Sequence, residues 1–286
     1  MNRRRRSKIV IWILLLALIT LALISLWIQW RQSPQSKIVP DIDHREIARP
    51  ERQIERPIPE MPALPVYKIK VAIVIDDIGY DNKIFKKFVD LGIPLTFSIL
   101  PDQRFSTRIA KEARSLNYEV MLHLPMEPRN PERNPGNGTI VTRMSQDEIL
   151  KQLSEDIEAV PYIAGVNNHM GSLLTENRDV MNIILEEIHR RGLFFVDSKT
   201  SPRSVAYETA KRIGIRSGRR DIFLDNKSDI EYIKGQVDKV IRIAKQNGEA
   251  TAIGHPRART IEALREKIAD FKREGIELVP VSEVLD

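Results

Sequence analysis

In Val71-Ala72-Ile73-Val74-Ile75-Asp76-Asp77-Ile78-Gly79 an unbroken apolar run of five residues leads into two adjacent carboxylates. Its residues are mostly β-branched and do not alternate with polar ones, the pattern of a strand buried on both faces. Short apolar runs recur downstream at residues 95–100, 119–124, 165–168, 193–196, 221–224, 250–253 and 276–281. Helical segments are expected between them at 82–91, 105–116, 145–158, 177–191, 206–213, 227–247 and 259–273. This alternation predicts an α/β fold around a parallel sheet, and seven or eight β-α units favour a barrel over an open sheet. No Gly-rich phosphate loop follows any of these strands, so a Rossmann reading has no support.

In such barrels the chemistry collects at the C-terminal ends of the strands. Asp76 and Asp77 follow the first strand, and His123 lies in the third with Glu127 beyond it. Asn167, Asn168 and His169 follow the fourth, Asp197-Ser198-Lys199 the fifth, and Gly254-His255-Pro256 the seventh. Three of the five histidines therefore fall on one expected rim. Two adjacent carboxylates closing a buried strand repel and raise a pKa unless each finds a partner. A metal resolves that conflict, with Asp77 as ligand and Asp76 as general base. The bland alternative makes one of them the cap of the helix near Asn82 and leaves the other in solvent. His123 and His169 are read as metal ligands and His255 as a functional histidine. Glu127, Asn168 and Asp197 are possible further site residues. His189 sits in the cationic last turn of a helix before Gly192 and is read as structural. Arg219-Arg220-Asp221 reads as a salt-bridged start of a strand, and residues 134–139 (NPGNGT) as a lid or groove wall.

Upstream, residues 9–28 form a twenty-residue uncharged run, long enough to span a bilayer and longer than the roughly 7–15 residues of a signal-peptide core. It closes on Leu26-Trp27-Ile28-Gln29-Trp30, bulky interface residues rather than a cleavage site. Arg3, Arg4, Arg5, Arg6 and Lys8 precede it, which predicts a signal-anchor with the N-terminus inside and the rest of the chain extracytoplasmic. These five cations account for all but one unit of the net charge of +6, so no basic excess remains for nucleic acid. The absence of cysteine excludes disulfides and thiolate metal sites but not His and carboxylate ones. The expected organisation is a basic flank at 1–8, an anchor at 9–30, a Pro-rich charged linker at 31–66 and one domain at 67–286. His44 lies in the linker and is read as solvated.

Four motifs, in order, carry a resemblance: Ile75-Asp76-Asp77-Ile78-Gly79, His123-Leu124-Pro125-Met126-Glu127, Asn167-Asn168-His169-Met170-Gly171-Ser172 and Gly254-His255-Pro256. Over roughly residues 68–286 the chain resembles the divergent polysaccharide deacetylase family, a distant branch of the NodB-type carbohydrate esterases. The resemblance implies a distorted (β/α)7-type barrel and metal-dependent removal of acetyl groups from N-acetylated sugars. In the parent family the first Asp of the pair is the base, the second binds metal and a late His is the acid, roles that carry onto Asp76, Asp77 and His255. The parent family has a second histidine where this chain has Glu127, and its Arg- and Trp-containing substrate motifs have no clear counterpart here. The expectation is a divalent metal, foremost zinc, held by Asp77, His123 and His169. The substrate would be a cell-wall or exported glycan outside a bacterial inner membrane, on the periplasmic side. Two other function classes stand beside it: an inactive glycan-binding or envelope scaffold, and a metal-dependent phosphoesterase, which would want more cations on the rim.

Overall fold

The computed structural model describes Lys68–Asp286, together with Ser25. Apart from Ser25, the expected anchor and linker lie outside the described residues. Among the described residues no helix is long and apolar enough to cross a membrane.

Nine strands alternate with seven helices in the second of two units, Ala63–Asp286. The strands are β1 (Ile69–Ile78), β2 (Thr96–Ile99), β3 (Glu119–Met126), β4 (Gly165–Met170), β5 (Phe194–Asp197), β6 (Ser217–Arg219), β7 (Ile222–Phe223), β8 (Glu249–Gly254) and β9 (Ile276–Val279). The helices are α1 (Asn82–Val89), α2 (Ser106–Ser115), α3 (Gln146–Ala159), α4 (Arg178–Arg190), α5 (Ala206–Ile213), α6 (Ile230–Asn247) and α7 (Ala258–Arg273). Local chemistry explains their ends: Ser145 and Glu148 form a capping box on α3, and Asp229 caps α6. Asp81 caps α1, so neither Asp76 nor Asp77 is needed there.

All ladders are parallel and run β6-β5-β4-β3-β2-β1-β8-β7, with β9 pairing β1 as well. The consecutive strands β6 and β7 pair with opposite edges of this path. The curled sheet therefore has seven ladder positions, the last a strand broken at Arg220-Asp221, where the edges are joined by chain rather than by a ladder. β6 was not expected from the sequence. Ser217-Gly218-Arg219 has no strand pattern of its own and pairs because β5 offers it an edge.

The two faces of β1 serve two cores. Val71, Ile73 and Ile75 pack in the large core shared with the helices, whereas Ala72 and Val74 lie in a smaller cluster with Met121, Val196 and Ile253. That inner cluster also holds Val279, Val281, Val284 and Leu285. The last expected strand therefore stops at Val279, and a 3-10 turn, Val281–Val284, places its valines among the inner-facing residues.

Candidate active site

Between Ile75 and Ile78 strand β1 carries one residue more than its partner β2, a β-bulge. Asp77 takes the left-handed conformation there, at φ +56°, which an Asp tolerates better than most residues. By simple alternation Asp76 would continue the inner face and Asp77 would turn to the helices. The bulge instead brings both carboxylates to the C-terminal rim, toward His123.

Asp77 Oδ1 lies 3.1 Å from His123 Nε2 and 3.0 Å from His169 Nδ1, and those two nitrogens are 3.0 Å apart. Three ligand atoms thus converge from β1, β3 and β4, the one such group among the described residues. His123 Nδ1 faces Asn167 Oδ1 at 2.7 Å, while Ser98 Oγ donates to the same oxygen at 2.6 Å and Asn167 Nδ2 donates to Asp76 Oδ1 at 2.8 Å. An amide oxygen can only accept, so Nδ1 of His123 is the donor and Nε2 of the neutral ring presents a lone pair. Two nitrogens and a carboxylate oxygen facing each other at about 3 Å repel unless a proton or a cation lies among them. A divalent ion with bonds of about 2.0–2.2 Å to such donors suits this spacing, and the set of one carboxylate and two imidazoles suits zinc.

The titration behaviour follows the same geometry. Burial is the largest influence on Asp76 and raises its pKa, against the pull of His123 and His255. Burial would raise Asp77 too, but hydrogen bonds with His123 and His169 and their charges bring it well below the usual carboxylate range. Burial opposes charge on His123, yet Asp76 and Asp77 together raise it to about 8.

His255 approaches from β8, its Nε2 4.0 Å from Asp77 Oδ2. Its Nδ1 is 2.7 Å from Asp225 Oδ1, and its main-chain N–H donates to Asp225 Oδ2 at 2.8 Å. Asp225 is fully buried and also accepts from Thr260 Oγ1 at 2.7 Å. Burial alone would lower the His255 pKa, but the Asp225 carboxylate raises it, and the same contact lowers Asp225. The imidazole stacks on Phe223 with ring centres 5.8 Å apart, and the guanidinium of Arg220 lies 3.7 Å over the same ring. The imidazolium thus has one nitrogen fixed and the other directed to the rim.

The remaining candidate residues stand outside the ligand cluster. Glu127 Oε2 accepts from the main chain and hydroxyl of Thr142, at 2.7 and 2.6 Å. It pins the long loop after β3 while His169 completes the three-atom set. The 134–139 segment is part of that loop, which is sewn down by the Met126–Ile140 bridge. Asn168 accepts from Ser198 N–H and donates to the Met170 carbonyl, tying β4 to β5. Asp197 accepts from Lys199 N–H and Ser204 Oγ, each at 2.7 Å, and organises the loop after β5. Arg220 donates to the carbonyls of Ser198 and Lys199, and Asp221 accepts from Thr251 N–H, so the expected salt-bridged strand start is a set of main-chain contacts. His189 is an exposed residue of α4.

Sequence reasoning missed Asp225 and gave Asn167 a place on the rim but no role. Asp225 directly follows the expected strand 221–224, so the rim rule applied to that strand would have found it. Asn167 stands directly across from His123 in the β3–β4 register, which only the structure gives.

The sequence profile of the divergent polysaccharide deacetylase family matches residues 73–285. Two uncharacterized proteins are similar in sequence. YibQ of Escherichia coli K12 is 33% identical over 222 residues, covering 78% of this chain and 69% of that protein. A protein of Haemophilus influenzae is 33% identical over 210 residues, covering 73% and 74%. The crystal structure of the uncharacterized protein ATU2773 from Agrobacterium tumefaciens C58 superposes with a TM-score of 0.73 at 26% identity, covering 78% of this chain and 92% of that one.

Proposed function

The chain belongs to the divergent polysaccharide deacetylase family, and on that premise we propose that it is a metal-dependent hydrolase that removes acetyl groups from an N-acetylated envelope or exported glycan. The observation that carries this reading is the convergence of Asp77, His123 and His169 within 3.1 Å, with Asp76 beside them and a carboxylate-backed His255 facing them. Asp77, His123 and His169 would hold a divalent ion, foremost zinc, which when bound would polarise the acetamide carbonyl and lower the pKa of water. Asp76, buried and oriented by Asn167, takes the proton of the attacking water. His255, kept protonated by Asp225, gives a proton to the nitrogen as the carbon–nitrogen bond breaks, releasing acetate and a free amine.

The surroundings suit a sugar polymer. A recess of about 320 Å³ beside Asp77 and His255 is lined by Gly79, Tyr80 and Pro256. Tyr80 is 58% exposed, an aromatic face available to a pyranose ring. We place the domain outside the cytoplasmic membrane on the strength of the apolar run at 9–28 and its N-terminal cations. Loss of the domain to external protease in spheroplasts tests that placement, and protection overturns it.

The activity is tested by metal analysis and acetate release with N-acetylated glycans for wild type and Asp76→Asn. The expected result is equal metal content and acetate release from the wild type alone. A fully metallated wild type that releases no acetate from any such glycan would overturn the enzymatic reading in favour of a glycan-binding scaffold.

A further inference from the structure

The Tyr80 recess lies where β8 meets β1. A second recess, of about 470 Å³, lies on the other side of the ligand cluster, between the end of β4 and the loop after β5. Ser172, three residues beyond His169, is on its wall, with Arg129, Glu176, Pro202 and Arg203. Nothing in the proposed chemistry uses these residues.

Glu176 is the one carboxylate lining this recess, and it is shared. Arg129 Nη2 donates to it at 2.5 Å, Arg203 Nε lies 3.2 Å from it, and Ser201 Oγ donates to its other oxygen at 2.6 Å. Two guanidiniums on one carboxylate leave a positive charge uncompensated. Both arginine side chains are at least half exposed, at 50% and 67%, so most of their N–H groups remain open to a ligand.

The recess is also built in register with the ligand cluster. The main-chain N–H of Arg129 donates to Ser172 Oγ at 3.0 Å, joining the loop after β3 to the segment that carries His169. Thr200 Oγ1 and Asn168 Nδ2 both donate to the carbonyl of Met170, at 2.6 and 2.8 Å, which fixes the β4 end against the β5 loop. Met170 and Lys199 are both left-handed, at φ +52° and +48°, and such strained backbone persists only where its surroundings over-determine it.

We propose that Arg129 and Arg203 form a subsite for an oxyanion carried by the glycan, a carboxylate or a phosphate on a part of the polymer away from the acetamide that is cleaved. The planar guanidinium fork matches such groups, and Pro202 and the arginine stems give the sugar an apolar wall. The subsite rests on the glycan reading above and narrows it to anionic polymers.

Calorimetry on the full chain in detergent, at low salt, would compare N-acetylglucosamine oligomers of one length that are neutral, carboxylated or phosphorylated. At least one anionic oligomer should bind about tenfold more tightly than the neutral one, and the stronger of the two identifies the oxyanion. The advantage should shrink as salt rises to about 0.5 M. The double variant Arg129→Gln/Arg203→Gln should lose that advantage and keep the neutral affinity, while Glu176→Gln, which frees both guanidiniums, should enlarge it. Equal affinities in the wild type, or an undiminished advantage in a folded double variant, overturn the subsite. Acetate release from neutral and anionic oligomers with equal KM sinks the subsite but keeps the hydrolase. Absence of both binding and release for every glycan sinks the glycan reading and the subsite with it.

Discussion

Two buried carboxyls, Asp76 on the rim and Asp156 in α3, show what separates a site from a packing compromise. Both are almost wholly out of solvent, and burial raises both pKa values. Asp76 is met by an amide donor and two imidazoles, so its proton can be exchanged. Asp156 has one hydrogen bond, from Gln152 to Oδ1, while its Oδ2 is unpartnered and the charges of Asp102 and Glu155 act on it with like sign. It rises to about 8 and is a neutral acid held under Gly138. Burial raises a carboxyl's pKa in either place. Only an arrangement of counter-charges and donors makes that shift usable.

The widest gap between the two regions should open when the donor to Asp76 is reversed. Asn167→Asp keeps an acceptor for His123 but loses the N–H to Asp76 and sets a second carboxylate beside it. Acetate release should fall about a hundredfold while metal content persists, since outer-shell changes of this kind typically cost 10–100-fold; simultaneous measurement of both quantities checks it. A smaller effect is expected from Asp225→Asn. The carboxylate raises the His255 pKa, so the protonated acid survives to higher pH with it than without. The alkaline limb of the turnover profile should therefore move to lower pH, with a loss of roughly tenfold on that limb, and an unmoved limb would count against His255 as the acid. Asp156→Asn should leave turnover alone and change only stability. The unfolded carboxyl sheds its proton near 3.8 and the folded one near 8, so wild-type stability falls across that interval. Denaturation midpoints of the two proteins should be close at pH 4 and diverge toward pH 8, the variant becoming the more stable by roughly a few kcal/mol.

Much of the fold was legible because its signals are local. The run at 71–75 and the cationic last turn before Gly192 that ends α4 each act within a few residues. β6 was not legible, since Ser217-Gly218-Arg219 becomes a strand only through the edge of β5. At the rim, Asp77, His123 and His169 could be named from strand ends alone. The division of labour between Glu127 and His169 could not, because it depends on Thr142 reaching Glu127 from across a loop. Asn167 was visible only as part of a motif. Its role follows from a cross-strand register and from an amide orientation that the accepting carboxylate of Asp76 imposes.

The pairing of β1 has a consequence for the timing of folding. Ile69 pairs with Ile276 and Val71 with Ala250, so the first strand made waits for partners among the last. Until the ribosome has delivered Val279 to Leu285, the inner cluster is incomplete and the nascent β1, Val71 to Ile75, lacks the ladders of β8 and β9. So late a closure favours a domain that condenses only after the segment 276–285 has been made.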